Sequence, residues 1–223
     1  MKQRRSSSSR SRHQGKAQGN GSKAGRRSAG RRSAGRRDAG RLRIIGGDYR
    51  RRQLPVLDHP GLRPTPDRVR ETLFNWLASA TAGARVLDLF AGTGALGLEA
   101  LSRGAREALF IEQSAPVARA LEANIATLGA NGRVISADAK AFLGDTLGDR
   151  PAGAFDLVFL DPPFRQDLAE ESCRQLVDGG LLAAGAWVYL EVEAKLTPSV
   201  PADWMLHREV RAGDSCGRLY RLP

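Results

Sequence analysis

Four acidic residues each close a short apolar run: Asp88 in RVLDLFA, Glu112 in EALFIEQ, Asp138 in GRVISADA and Asp161 in FDLVFLDPPF. In open sheets of parallel strands, ligands bind beyond the carboxyl ends of the strands, so carboxylates at four successive strand ends would border one crevice. The first run leads into Gly92-Thr93-Gly94-Ala95-Leu96-Gly97, a G-x-G-x-x-G turn that lets backbone approach a nucleoside-containing ligand. Asp88 lies inside that turn, where a pyrophosphate would be repelled and an ammonium attracted. A nicotinamide dinucleotide therefore fits poorly. S-adenosylmethionine, with an ammonium, a sulfonium and no phosphate, fits well. Glu112 stands 18 residues beyond Gly94, placed to accept hydrogen bonds from ribose hydroxyls of either ligand. Asp138 is placed to accept from an adenine amine, and equally reads as the N-cap of the helix that follows.

The run Asp161-Pro162-Pro163-Phe164 carries the most specific chemistry. Two prolines after a buried strand fix the backbone and remove two amide donors, leaving a carbonyl free to face the crevice. An acid, a bare carbonyl and an aromatic ring together recognise a planar NH2 group. The amine of a nucleobase is a poor nucleophile because its lone pair is delocalised into the ring. Hydrogen bonds from its two protons to Asp161 and to the Pro162 carbonyl would favour localising that pair, with Phe164 stacked on the base. The bland alternative is a rigid surface turn.

These residues need a scaffold, and the sequence supplies strands alternating with helices. TPDRVRETLFNWLAS has Pro66 in a first helical turn and Val69, Leu73, Phe74, Trp76 and Leu77 at helical spacing. Helices follow each strand at ALGLEALSRG, APVARALEANIATLG, KAFLGDTL and DLAEESCRQLVDGGLL, with Gly104 and Gly129 as stops. AWVYLEVE reads as a fifth strand and WMLHREVRAGDSCGRLYRL as a closing hairpin. The expected fold is α/β, a doubly wound, mostly parallel sheet with a C-terminal antiparallel hairpin. Upstream, RIIGGDYRRRQLPV suggests an N-terminal β-hairpin extension over 41–62, turning at Gly46 and Gly47.

Charge is polarised along the chain. The 223 residues carry 35 Lys and Arg against 24 Asp and Glu, a net charge of +11, yet residues 1–40 alone hold 13 basic residues and one acid. This Ser-, Gly- and Arg-rich stretch has almost nothing to bury and is expected to be a disordered basic tail. It reads as a dispensable extension, an arm that follows phosphates, or an arginine-rich transit peptide. Residues 41–70 add a further +5, and 71–223 carry −6. Arg43, Arg50, Arg51 and Arg52 are candidate phosphate contacts, expected beside the crevice. Two cysteines, Cys173 and Cys216, and three scattered histidines cannot build a disulfide framework or a zinc site, so no metal is expected. Without a bilayer-length apolar run or a secretory signal, the expected setting is cytoplasmic and the expected state a monomer.

D-x-F-A-G-T-G-x-L-G, then F-x-E, D-A and D-P-P-F, resemble the S-adenosylmethionine-dependent amino-methyltransferases. RIIGGDYRRRQL and LRPTPDRVRETLFNWL narrow the resemblance to the RsmD family, bacterial enzymes that methylate a guanine-N2 amine of small-subunit (16S) ribosomal RNA. The likeness spans about residues 41–223 and implies one Rossmann-like methyltransferase domain. It implies that Asp88, Phe90, Gly92, Thr93 and Gly94 hold the methionyl part, Glu112 and Gln113 the ribose, and Asp138 and Ala139 the adenine end. Asp161 to Phe164 would hold the target base, and Arg63 and Thr65 begin a cofactor-covering helix. The rivals are a DNA adenine or cytosine amino-methyltransferase, which usually adds a target-recognition domain, and a non-enzymatic RNA-binding protein, which leaves the four carboxylates unexplained.

Overall fold

The computed structural model describes residues 40–60, 62, 65–144, 154–164 and 168–223. The basic tail and Arg63 lie outside the described residues, as does the end of the expected KAFLGDTL helix.

The main sheet has seven strands in the order β5-β4-β3-β6-β7-β9-β8. Its parallel part is β3 (Arg85–Asp88), β4 (Glu107–Ile111), β5 (Gly132–Ile135), β6 (Phe155–Leu160) and β7 (Leu182–Glu193). The strands β8 (Met205–Ala212) and β9 (Ser215–Arg221) form the closing hairpin, with β9 inserted antiparallel between β7 and β8. Chain order steps outward from β3 to β4 and β5, then returns to β6 on the other side. The β3–β6 junction is therefore the topological switch point, where a crevice opens at the strand ends.

Both faces of the parallel strands are covered, which is why they read as continuous apolar runs. One face packs Val86, Leu157 and Phe159 against α1 (Asp67–Trp76), α2 (Ala95–Ser102) and α3 (Ala115–Leu128). The other packs Leu87, Val158 and Leu190 against α4 (Ala139–Gly144) and α5 (Leu168–Asp178). On the first face Phe74, Phe159 and Tyr189 meet edge to face at centroid distances of 5.9 and 6.5 Å. Gly97 lets α2 lie flat on β4: a Cβ there would fall 2.2 Å from the Phe110 ring. At α1, Pro66 is the N-cap rather than the first helical residue, and the helix ends at Trp76, with Leu77 as its C-cap.

The N-terminal extension is a small hairpin of β1 (Arg41–Arg43) and β2 (Gln53–Pro55), with Leu42 paired to Leu54. Its loop is longer than the sequence suggests. Gly46 and Gly47 begin the loop, and the reversal itself falls over residues 47–52, closed by Arg50 N–H to Gly47 O and Arg52 N–H to Tyr49 O.

This hairpin is fastened by an ionic cluster invisible to hydropathy. Glu99 of α2 is fully buried, and its carboxylate accepts the amides of Ile45 and Gly46, each at 2.8 Å. Arg103 and the buried Arg70 complete the shell at 2.8 and 3.4 Å. Arg70 also donates to the carbonyls of Arg43 and Thr65 and to Asp67. Burial alone would raise the Asp67 pKa, but hydrogen bonds from Arg43 and Arg70 outweigh it and hold the carboxyl below its usual range. A buried charge is tolerated only with such full compensation, and stripping one partner typically costs about 3–5 kcal/mol.

Replacing Gly97 by valine forces side-chain carbons into the Phe110 ring and is expected to lower stability by about 2–3 kcal/mol. Urea unfolding measures this; an unchanged midpoint would mean that the ring can step aside.

Candidate active site

The carboxyl ends of β3, β4 and β6 converge at the switch point. Asp88, the last residue of β3, is buried at 3% exposure. One of its oxygens accepts the Gly97 amide at 3.0 Å, and the other has no hydrogen-bond partner among the described residues. Burial pushes its pKa up to about 7; the Gly97 bond opposes this and the nearby Glu112 charge adds to it. The carboxyl is thus poised for a cation.

The turn after β3 is fixed from both sides. Gly92 and Gly94 have φ of 51° and 74°, the left-handed region that glycine occupies without strain. The Ala91 amide donates to the Ile111 carbonyl of β4, and Gly94 N–H to Ala91 O. Glu112, just past β4, accepts Gly92 N–H at 2.9 Å on one oxygen and Ser114 N–H at 2.7 Å on the other. One carboxylate therefore sets the spacing between the glycine turn and the start of α3. Thr93 is buried, Gln113 exposed, and Phe90 packs on the α4/α5 side of the sheet.

Asp138 accepts the Ala141 amide at 3.1 Å, so the helix-capping reading is realised at the head of α4, where Ala139 is buried. Asp138 itself is exposed. Thr65 is buried, and its carbonyl is taken by Arg70, which joins it to the Glu99 cluster.

Asp161 follows β6 and is partly buried; Pro162 is buried, Pro163 exposed, and the Phe164 ring is 42% exposed at the mouth. Strand register puts Asp88, Phe159, Asp161, Tyr189 and Glu191 on one face, because Phe159 pairs with both Asp88 and Tyr189 and side chains alternate. Burial, followed by the charges of Glu191 and Asp88, pushes the Asp161 pKa well above the usual carboxylate range. Glu191 is a residue that motif reading missed. It is 6% exposed and accepts a hydrogen bond from the Tyr189 hydroxyl at 2.9 Å. Burial and the Glu191 charge raise the Tyr189 pKa, keeping the phenol protonated as that donor. An acid in the middle of AWVYLEVE, at a position whose neighbours are all apolar, was the available signal.

The arginines do not join these carboxylates. Arg43 is held by Asp67 at 2.6 Å. Arg50 and Arg51 are exposed and make no ion pair among the described residues, while Arg52 donates to the Thr127 carbonyl in the last turn of α3. Glu112 sits at the other end of that helix. The expectation that Arg50, Arg51 and Arg52 flank the crevice is therefore corrected: their loop lies a helix length away along α3. Cys173 and Cys216 are buried, and burial pushes the Cys173 thiol up to about 12.

The family model described as Conserved hypothetical protein 95 matches residues 42–221. Ribosomal RNA small subunit methyltransferase D of Escherichia coli (strain K12) is 52% identical over 182 residues, 81% of this chain and 89% of its own length. The chain belongs to the RsmD family. Its Haemophilus influenzae relative of the same name is 41% identical over 180 residues, covering 81% of this chain and 93% of its own. A solved methyltransferase from Escherichia coli superposes with a TM-score of 0.75 at 49% identity, covering 82% of this chain and 98% of that one. The RsmD family is one of S-adenosylmethionine-dependent methyltransferases, and the seven-stranded sheet with its inserted last strand is that fold.

In carboxyl-detected NMR of the ligand-free protein, Asp88 is expected to titrate near pH 7, with the Gly97 amide moving in step. A midpoint near 4 would show that water reaches the carboxyl freely.

Proposed function

We propose that this chain transfers a methyl group from S-adenosylmethionine to the exocyclic N2 amine of a guanine in small-subunit (16S) ribosomal RNA. One observation carries the reading: Asp161-Pro162-Pro163-Phe164 stands at the switch point beside the half-satisfied Asp88. The names of the relatives, each a ribosomal RNA small subunit methyltransferase D, support the substrate class. The reading places the enzyme in the cytoplasm as a monomer acting on 16S ribosomal RNA or the assembling small subunit. A DNA amino-methyltransferase would share the strand ends but not the relatives' substrate.

The residues fit the cofactor. The free oxygen of Asp88, desolvated and near half-ionised at neutral pH, suits an ammonium. The Gly92 and Gly94 turn admits the methionyl part, with Phe90 and Thr93 flanking it. Glu112 and Gln113 suit the ribose, Asp138 and Ala139 the adenine, and Thr65, with Arg63, begins the cover. When bound, S-adenosylmethionine supplies an electrophilic methyl on its sulfonium.

The protein's contribution is orientation and a place for one proton. Asp161 and the Pro162 carbonyl would hold the two amine protons so that the nitrogen lone pair points at the methyl. Phe164, exposed at the mouth, would stack on an unstacked guanine, whose extrusion costs a few kcal/mol. Alkylation makes the amine acidic, and Asp161 would take the departing proton. The sequence asks for no shifted base, yet burial, with the charges of Glu191 and Asp88 added, raises the basicity of Asp161, which suits a late acceptor. Tyr189 and Glu191 would back it from the neighbouring strand.

Labelled methyl transfer to naked 16S RNA, to unmethylated small subunits and to DNA tests the reading, which fails if no guanine N2 in RNA is labelled. Asp161→Ala is expected to lower kcat by about a thousandfold or more, with cofactor Kd within about twofold of wild type; loss of cofactor binding would overturn this division of roles. The cofactor's ammonium needs Asp88 ionised, so below its pKa a proton must leave before binding. Affinity should fall as pH drops, about tenfold between pH 8 and pH 6 for a group at about 7. Calorimetry across that range measures it, and Asp88→Asn should abolish the dependence.

A further inference from the structure

The loop bearing Arg50, Arg51 and Arg52 lies at the end of the molecule opposite the carboxylates. Asp48 N–H donates to Ser102 O in the last turn of α2, and Arg52 donates to Thr127 O in the last turn of α3. Both helices start at the crevice, α2 at the glycine turn and α3 beside Glu112. The 14 residues of α3 span about 21 Å. The extension runs back along that whole length: the Pro55 carbonyl takes a hydrogen bond from Asn124, and His59 Nε2 reaches Ser114 Oγ at 3.2 Å.

The loop is also stiff. Ile44 N–H bonds to Arg52 O and Arg51 N–H to Ile44 O. Glu99 holds the amides of Ile45 and Gly46, while Ser102 Oγ accepts from Tyr49 N–H and donates to Gly46 O. At Gly47 a Cβ would fall 1.6 Å from the Ser102 carbonyl. Arg51 is held at φ 68°, the one non-glycine residue with positive φ among those described. Such outliers persist where surrounding structure enforces them and concentrate at functional sites. Three consecutive arginines on a rigid loop, none of them with a counter-ion or a large exposed apolar neighbour among the described residues, match a phosphate backbone better than a protein surface, whose centre is typically apolar.

We propose that Arg50, Arg51 and Arg52 form a fixed phosphate anchor remote from the methyl-transfer crevice, about 12 Å from the glycine turn along α2 and about 20 Å from Glu112 along α3, with Glu99 and Ser102 as positioning residues. Resting on the ribosomal RNA reading above, this requires the substrate to be gripped at a second segment. At the shorter separation of about 12 Å and a rise of about 3 Å per nucleotide in a helical strand, that segment is about four or more nucleotides from the target, or lies on a different helix.

Two experiments on the full chain and unmethylated small subunits test this. The native cysteines are buried, so Gln53→Cys, on the exposed strand after the loop, can carry an iron chelate that cleaves nearby RNA. Cleavage should centre about four or more nucleotides from the labelled guanine or on another helix. Cleavage within two or three nucleotides of the guanine, or none in RNA because the loop meets ribosomal protein, overturns the anchor. In the second, Arg50→Ala/Arg51→Ala/Arg52→Ala should raise KM for the particle about tenfold or more and lower the log–log salt slope of binding by about 2–3, with kcat and cofactor Kd unchanged. Ser102→Ala should raise KM less, and add nothing in the triple-variant background. An additive effect, or a loss in kcat instead, overturns the positioning role. If wild-type protein labels no RNA, the methyl-transfer reading fails, while cleavage from position 53 still reports where the loop docks.

Discussion

Glu99 ties together three pieces of chain that also share one apolar core and, through Ser102, further hydrogen bonds. The N-terminal loop brings backbone amides, α1 brings Arg70, and α2 brings the carboxylate itself together with Arg103. Each partner is fixed by what it does elsewhere. Arg70 is tied to Thr65 and Asp67 at the start of α1, so the helix covering the sheet is registered against the same charge that holds the hairpin. Because α2 begins at the glycine turn and ends at this cluster, the cluster also fixes the axis of the helix that shapes the crevice. An apolar residue at position 99 would fill the space but leave two amides and an arginine without acceptors, and unmet buried donors are costly.

At the crevice the electrostatics run the other way. Asp88, Asp161 and Glu191 face the same side of three adjacent strands, and among the described residues only Asp88, through Gly97, and Glu191, through Tyr189, have donors there. Without a ligand the row is under-compensated, which shows as raised pKa values at Asp88 and Asp161. A cationic ligand would relieve it. The protein therefore keeps one buried cluster fully satisfied for rigidity and one partly satisfied for binding, the second bonded to Gly97 only two residues before Glu99 of the first.

Much of this was legible in the residues. The alternation of strands and helices follows from hydrophobic period, and the carboxylates could be placed because strand ends in a parallel sheet share a crevice whatever the details of packing. What sequence could not supply were partnerships across long separations. Ile45 and Glu99 are 54 positions apart, and nothing local marks an acid in ALGLEALS as buried rather than solvated. Glu191 was hidden for the same reason, since its role depends on register with β6. The arginine loop was mislocated because closeness in sequence to the cofactor-covering helix says nothing about direction: β2 is followed by a stretch that traverses the whole length of α3. Asp138 was read two ways; its capping bond to Ala141 is seen, and its adenine contact belongs to the proposed function.

The insertion of β9 between β7 and β8 has a temporal side. Gly217 of β9 lies against the Tyr189 hydroxyl, where a Cβ would come within 2.0 Å, and Tyr189 in turn holds Glu191 behind Asp161. The residues proposed to contact substrate and cofactor all lie before residue 165, yet the wall supporting them is finished by residues 215–221. During synthesis the strands emerge in chain order, so a nascent chain carries the glycine turn and the Asp161 loop while β7 still has an open edge. Competence arrives as a late event in the life of the polypeptide.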